Sequence, residues 1–276
     1  MLENIKYINH LGEEIAFDGS ERIFADYNDL RDYSWNYDSD SDIISNLNRK
    51  GVTKKSLPVK IVAATAERGI EIRNRLYSVT DKDTMNGKFG RLCIGEYYMK
   101  CCISGAKKSS YLYLREYMET ELEVITDDPY WVKEIKTQFR PNSGGTDGLA
   151  YSKQYAYRYT DYNTRYTVTN NTLAAAPFRM VIYGACENPE IWIGSQRYKI
   201  NITLADSEYL ELTAFEKSKT IVKTDASGTQ TNCFNAREKS INVFEPIPTG
   251  TFEVAWDGSF AFDLIVCDRR SEPPWI

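Results

Sequence analysis

The sequence predicts a mainly β chain of two domains, and three observations carry that prediction. Short segments of alternating apolar and polar residues, bounded by turn residues, recur about every 8 to 12 residues through the second half, as in a β-sandwich. Only one stretch has convincing helical spacing. The chain is 276 residues long, 42% hydrophobic and 13% aromatic, with 20 Tyr, and so can fill more than one core.

Taken in order, Ile5 and Tyr7 share one face of an opening strand, and His10-Leu11-Gly12-Glu13 turns into Ile15 to Phe17. Residues 18 to 50 are polar and irregular. Their aromatic run Tyr33-Ser34-Trp35-Asn36-Tyr37 reads as a strand or an excursion packed against something. Pro58 to Thr65 is a continuous apolar strand that runs into the helix, read over Ala66 to Val79. Thr65 can cap its first turn, and Ile70, Arg73, Leu76 and Tyr77 recur at helical spacing. Gly69 counts against it by about 1 kcal/mol relative to Ala. Gly90 to Glu96, Tyr97 to Ser104 and Ser110 to Ile125 are rich in Tyr, Leu, Ile and Val and read as antiparallel pairs. Tyr130 to Phe139 is a further alternating strand. The run Arg140-Pro141-Asn142-Ser143-Gly144-Gly145-Thr146-Asp147-Gly148 is a loop, with a domain boundary at or just after it.

Beyond it, Tyr198, Ile200, Ile202 and Leu204 alternate with Arg197, Lys199, Asn201 and Thr203, one half-buried antiparallel strand. Glu208 to Phe215 and Thr220 to Thr224 follow, then the turn Asp225-Ala226-Ser227-Gly228. Phe252, Val254 and Trp256 face Phe260, Phe262, Leu264 and Val266 across Asp257-Gly258, which reads as a hairpin. No internal repeat or low-complexity tract is visible.

Charge and chemistry narrow the function. Net charge is −5 with a pI near 5.2, so nothing electrostatic marks a grip on nucleic acid or an anionic membrane. Mean hydropathy is −0.49 and no apolar run of spanning length occurs. A single histidine, His10, leaves little for acid-base, metal or triad chemistry, and it reads as a surface or cap residue. The six cysteines are too sparse for a disulfide scaffold and no CxxC pair is present, so free thiols in a reducing cytoplasm are expected. The opening residues carry no signal-peptide core. Asp38-Ser39-Asp40-Ser41-Asp42 is similar to the start of a calcium loop, but Ile43 and Arg49 stand where the turn glycine and bidentate glutamate belong, leaving a solvated acidic loop. Glu190, Asp206, Glu208 and Glu211 are the carboxylates a glycan hydrolase would draw on, although sequence says nothing of their separation. No nucleophile elbow or phosphate loop occurs. Catalytic residues, metal and cofactor are all expected to be absent.

Aromatic placement points to binding. Trp192, Tyr198 and Trp256 could stack on a sugar, and core packing is the blander reading. Tyr155, Tyr157 and Tyr159 lie at a spacing of two on one strand face, beside Tyr151 and Tyr162, and suit a protein interface. At the other end, Pro273 and Pro274 cannot donate to a ladder. The last strand is therefore expected to stop near Cys267 or Asp268, with Arg269, Arg270 and Glu272 at its exit and Trp275 as an anchor on another surface.

Several fragments in shared order resemble the distal tail proteins of siphovirus-type bacteriophages of Gram-positive hosts. They are the opening Tyr7-Ile8-Asn9 to Gly12-Glu13-Glu14-Ile15, then Tyr159-Thr160-Asp161-Tyr162, then Val168-Thr169-Asn170-Asn171. Phe178-Arg179-Met180-Val181-Ile182-Tyr183-Gly184 and Asn188-Pro189-Glu190-Ile191 follow. Asn232-Cys233-Phe234-Asn235, Ile247-Pro248-Thr249-Gly250 and the closing Arg269-Arg270-Ser271-Glu272-Pro273-Pro274-Trp275 complete the series, while residues 18 to 130 match little. The resemblance implies an N-terminal ring-forming belt domain, 1–164, and a C-terminal galectin-like β-sandwich, 165–276. It also implies a hexameric homo-oligomer at the virion tail tip, made in the host cytoplasm. Its partners would be the tail tube protein, the tail hub or tail-associated lysin, and receptor-binding proteins. No enzymatic activity, specific nucleic-acid binding or membrane insertion is implied. The alternative is a carbohydrate-binding β-sandwich adhesion protein.

Overall fold

The computed structural model describes residues 3–49, 51–110, 115–141 and 166–275. The chain is mainly β, built on large antiparallel sheets with one α-helix among the described residues. It divides into two compact units, Met1–Lys133 together with Arg269–Ile276, and Glu134–Asp268. The boundary expected at 164/165 lies outside the described residues, as do most of the 140–148 loop and Tyr155, Tyr157 and Tyr159.

In the first unit the strands run Glu14–Ala16, Ile5–Ile8, Gly90–Ile94, Tyr97–Ser110, Tyr117–Thr126, Thr53–Val62 and Ile23–Ala25 across an antiparallel sheet. Period-two alternation explains which face is dry. Leu57, Val59 and Ile61 point inward opposite Leu122, Thr120 and Met118, while Lys54, Ser56 and Lys60 oppose Ile125, Glu123 and Glu119 on the wet face. Ile72, Leu76 and Val79 of the helix join the same core as Ile5, Tyr7, Leu92 and Leu122. Each such buried aliphatic side chain contributes about 1.5–3 kcal/mol.

The helix spans Ala66–Met85, with Thr65 as its cap: Oγ1 accepts from the Arg68 amide at 3.3 Å. It runs on to Met85, past the expected end at Val79, by nearly two turns. The extra turns bury polar residues, which apolar spacing cannot register: Thr80 donates to the Leu76 carbonyl at 3.0 Å, and Asp83 is fully buried. The buried stripe is Gly69, Ile72, Leu76 and Val79, so Ile70, expected on the inner face, is exposed.

Residues 36–48, expected as a strand or excursion continuing into an acidic loop, form a hairpin of Asn36–Asp40 and Ile43–Asn48 with the acidic run at its tip. Ser41 takes a positive φ of 56° in the turn.

The second unit is a sandwich. One sheet orders Gln230–Asn232, Ser218–Thr224, Tyr209–Phe215, Phe178–Tyr183 and Phe262–Arg270. The other orders Tyr166–Asn170, Gly250–Ala255, Glu190–Ile193 and Gln196–Lys199. Phe178, Met180, Leu212, Phe262 and Leu264 from the first meet Val168, Ile191, Ile193, Tyr198 and Val254 from the second in one core. Two expectations are corrected. The expected strand 197–204 is broken: Gln196–Lys199 pairs with Glu190–Ile193, and Thr203–Leu204 pairs with Cys186–Glu187. The expected hairpin across Asp257-Gly258 is an arch, because Gly250–Ala255 and Phe262–Arg270 pair in different sheets.

Candidate interface

The end of the chain belongs to the first unit and is held there by arginines. The last strand runs on to Arg270, two residues past the expected stop at Asp268. Arg269 pairs with Asp128 and lies 4.1 Å above the Tyr130 ring; Arg270 lies 5.7 Å from the ring of Tyr97. Past the strand, Arg31 collects the tail. Its Nη1 donates to the Pro273 carbonyl at 2.5 Å and reaches Glu272 at 3.4 Å, and its guanidinium sits 4.0 Å from the Trp275 ring. The opposite side of Arg31 pairs with Glu3. Trp275 still exposes 76% of its surface. A large ring with one face on a cation and the other in water is the kind of anchor that interfaces favour.

A second arginine has no such company. Arg49, at the base of the 36–48 hairpin, is 7% exposed and lies between the rings of Tyr33 and Tyr130, 5.5 and 5.1 Å away. Its Nη1 is buried with no hydrogen-bond partner among the described residues. Burial pulls its pKa below the usual guanidinium value. Lys55, 8% exposed, donates among the described residues to the main-chain carbonyls of Asp29 and Asp32, and burial lowers its pKa too. Both line an open pocket of about 540 Å³ with Asp32, Tyr33, Val52 and Lys54. Lys54 already pairs with Glu123 at 3.1 Å. The sequence reading missed this cluster, because residues 18 to 50, with Arg31 and Arg49, read as polar and irregular, and the stretch holding Lys55, before Pro58, shows no local pattern.

The other candidates are accounted for within the fold. His10 is tied to the helix: its amide donates to Asp83 Oδ1 at 2.8 Å, its ring bonds the same oxygen, and Tyr7 donates to Oδ2. Glu190 is clamped by Arg197 at 2.9 and 3.0 Å, which with Trp192 holds its carboxyl down at about 2. Glu208 accepts from the Ala205 amide at 2.8 Å and pairs with Lys223 at 2.9 Å. No sugar platform unites the aromatics, since Trp192 is exposed, Tyr198 is buried with its hydroxyl on the Glu245 carbonyl, and Trp256 packs against Phe139, Tyr166 and Phe262. No group of three or more His, Cys, Asp or Glu side chains that could hold a metal occurs among the described residues.

No family model and no curated protein matches the sequence. Solved structures do match its fold. A chain of the phage P2 baseplate in its activated conformation with Ca superposes with a TM-score of 0.65 at 12% identity, covering 99% of this chain and 100% of that one. The corresponding baseplate with Sr gives 0.64 at 11% identity, covering 98% and 99%. The Dit protein of SPP1, described as a paradigm of the hub adsorption apparatus in Gram-positive infecting phages, gives 0.58 at 8% identity, covering 98% and 100%. Across both units, therefore, this chain has the fold of these baseplate and hub proteins.

Proposed function

We propose that this protein is a distal tail protein, a structural component of a siphovirus-like tail tip that forms a ring, six copies to a closed hexamer. It would join the tail tube to the hub and receptor-binding proteins and catalyse no reaction. The observation that carries the reading is the likeness of fold to phage P2 baseplate chains and SPP1 Dit over 98–99% of this chain. Acidity fits a ring through which DNA slides, since a net charge of −5 repels phosphates instead of collecting them through released counterions. A cyclic ring needs two different patches per subunit, each contact burying over about 1,000 Å². Residues 1–164 would supply the ring contacts, with 165–276 as the galectin-like sandwich. Tyr155, Tyr157 and Tyr159, and the tail residues Arg269, Arg270, Glu272 and Trp275, are the side chains proposed for contact with neighbours. Sedimentation velocity and electron micrographs of the purified protein test this: closed rings are expected, and a chain that stays monomeric at tens of micromolar refutes it.

A further inference from the structure

Two unmatched features of the first unit complement each other. The first is an arm. Every residue of the hairpin from Asn36 to Leu47 is exposed, including Ile43 at 73% and Ile44 at 60%. A lone two-stranded ribbon is marginal in water, and apolar residues at its tip add to the cost of leaving it uncovered. The carboxylates of Asp40 and Asp42 hold no hydrogen bond or ion pair among the described residues. The second feature is the pocket of Arg49 and Lys55, two buried cations with no carboxylate in ion-pair contact among the described residues, although Asp29 and Asp32 act on Lys55 and Asp128 on Arg49 from farther off; the exposed apolar Val52 and Tyr33 edge it. A buried cation with no directly paired carboxylate is costly, and a carboxylate brought in from outside would relieve that cost.

We propose that the acidic, apolar hairpin tip of one copy, Asp40 and Asp42 with Ile43 and Ile44, seats in the Arg49 and Lys55 pocket of the next copy. The chain's own tip cannot do so. Asn36 and Arg49, at the base of the arm, line the pocket, and a five-residue strand carries the tip roughly 17 Å away. A second copy supplies what is missing on both sides: carboxylates for the cations, and aliphatic side chains for Val52 and Tyr33. Tip and pocket are different surfaces, so the contact is head-to-tail and repeats around a ring. The inference deepens the proposed function and rests on its claim that the protein assembles with itself.

The test uses the full chain. Asp40→Cys and Val52→Cys variants are co-expressed and mildly oxidised, with each single variant and the parent as controls. A cross-linked dimer that requires both variants is expected. Separately, Asp40→Lys/Asp42→Lys changes only exposed residues; it is expected to keep the parent's circular dichroism spectrum and weaken self-association about tenfold or more. A parent that is itself monomeric overturns the ring reading and this contact with it. A parent that assembles, yet gives no Asp40→Cys to Val52→Cys cross-link, overturns the arm-in-pocket contact alone.

Discussion

Asp263 shows how a carboxylate is carried inside the sandwich. It is 4% exposed, and its Oδ2 accepts from the Tyr183 hydroxyl at 2.7 Å and meets Lys136 Nζ at 2.8 Å. Burial pushes its pKa up; the ammonium and the hydroxyl outweigh burial and hold it below the usual carboxylate range. Burial and the same carboxylate push Tyr183 up to about 12. Because the folded value lies below the unfolded one, near 3.9, this contribution is complete above that pH and is lost as pH falls through the folded value. Asp263→Asn is expected to cost roughly 2–4 kcal/mol at neutral pH and to flatten the acid limb of the melting curve. Thermal melts of parent and variant between pH 2 and 7 check it; superimposable acid limbs would refute the assignment. Asp83 plays the corresponding part in the first unit, gathering Tyr7 and His10. The expectation of His10 as a surface or cap residue came from its turn alone. Its partner lies 73 residues away, a separation no local pattern encodes.

Gly69 illustrates the scale of a whole element. By propensity it is a flaw, and Gly69→Ala should strengthen the helix by about 1 kcal/mol. The fold reverses the sign, because a Cβ at that position would stand 2.1 Å from the carbonyl oxygen of Arg115. We therefore expect Gly69→Ala to destabilise the first unit by about 1–3 kcal/mol, and a raised midpoint in urea unfolding would contradict this close packing. The helix and most strands were legible because period and caps are local. The arch at Asp257-Gly258 was not, and its turn explains why. Gly258 takes a positive φ of 76°, and Asp257 accepts from the Ser259 amide at 3.0 Å, features that serve a hairpin or an arch equally. What decides between them is the sheet in which each flanking strand finds its partner, and those partners lie at Tyr166–Asn170 and Phe178–Tyr183. At the end of the chain the prolines signalled that the tail leaves the sheet, but the strand runs on to Arg270 before it does, and the Arg31 that holds the tail gave no local signal. The Arg49 pocket gave none either, since it exists only where the hairpin base and the strand Thr53–Val62 come together.

For the molecule as a whole, the notable arrangement is that the first unit is completed by the last residues of the chain. Deleting residues 272–276 removes the partners that Glu272, Pro273 and Trp275 give to Arg31. The expected loss is about 1–3 kcal/mol in the first unit, read by calorimetry as a shift of one transition while the sandwich transition stays put. An unchanged thermogram would show that the tail contributes nothing. The same arrangement sets an order on birth. Arg269 is 141 residues from Asp128, with the second unit between them. At about 5–20 residues per second, a ribosome that has just emitted Asp128 needs on the order of ten seconds more before it delivers the cation. Throughout that interval the nascent first unit holds the Asp128 carboxylate in waiting, while Arg49 already lies beside the Tyr130 ring. A polypeptide released early, at any codon before Arg269, leaves that carboxylate without the guanidinium it is built to receive.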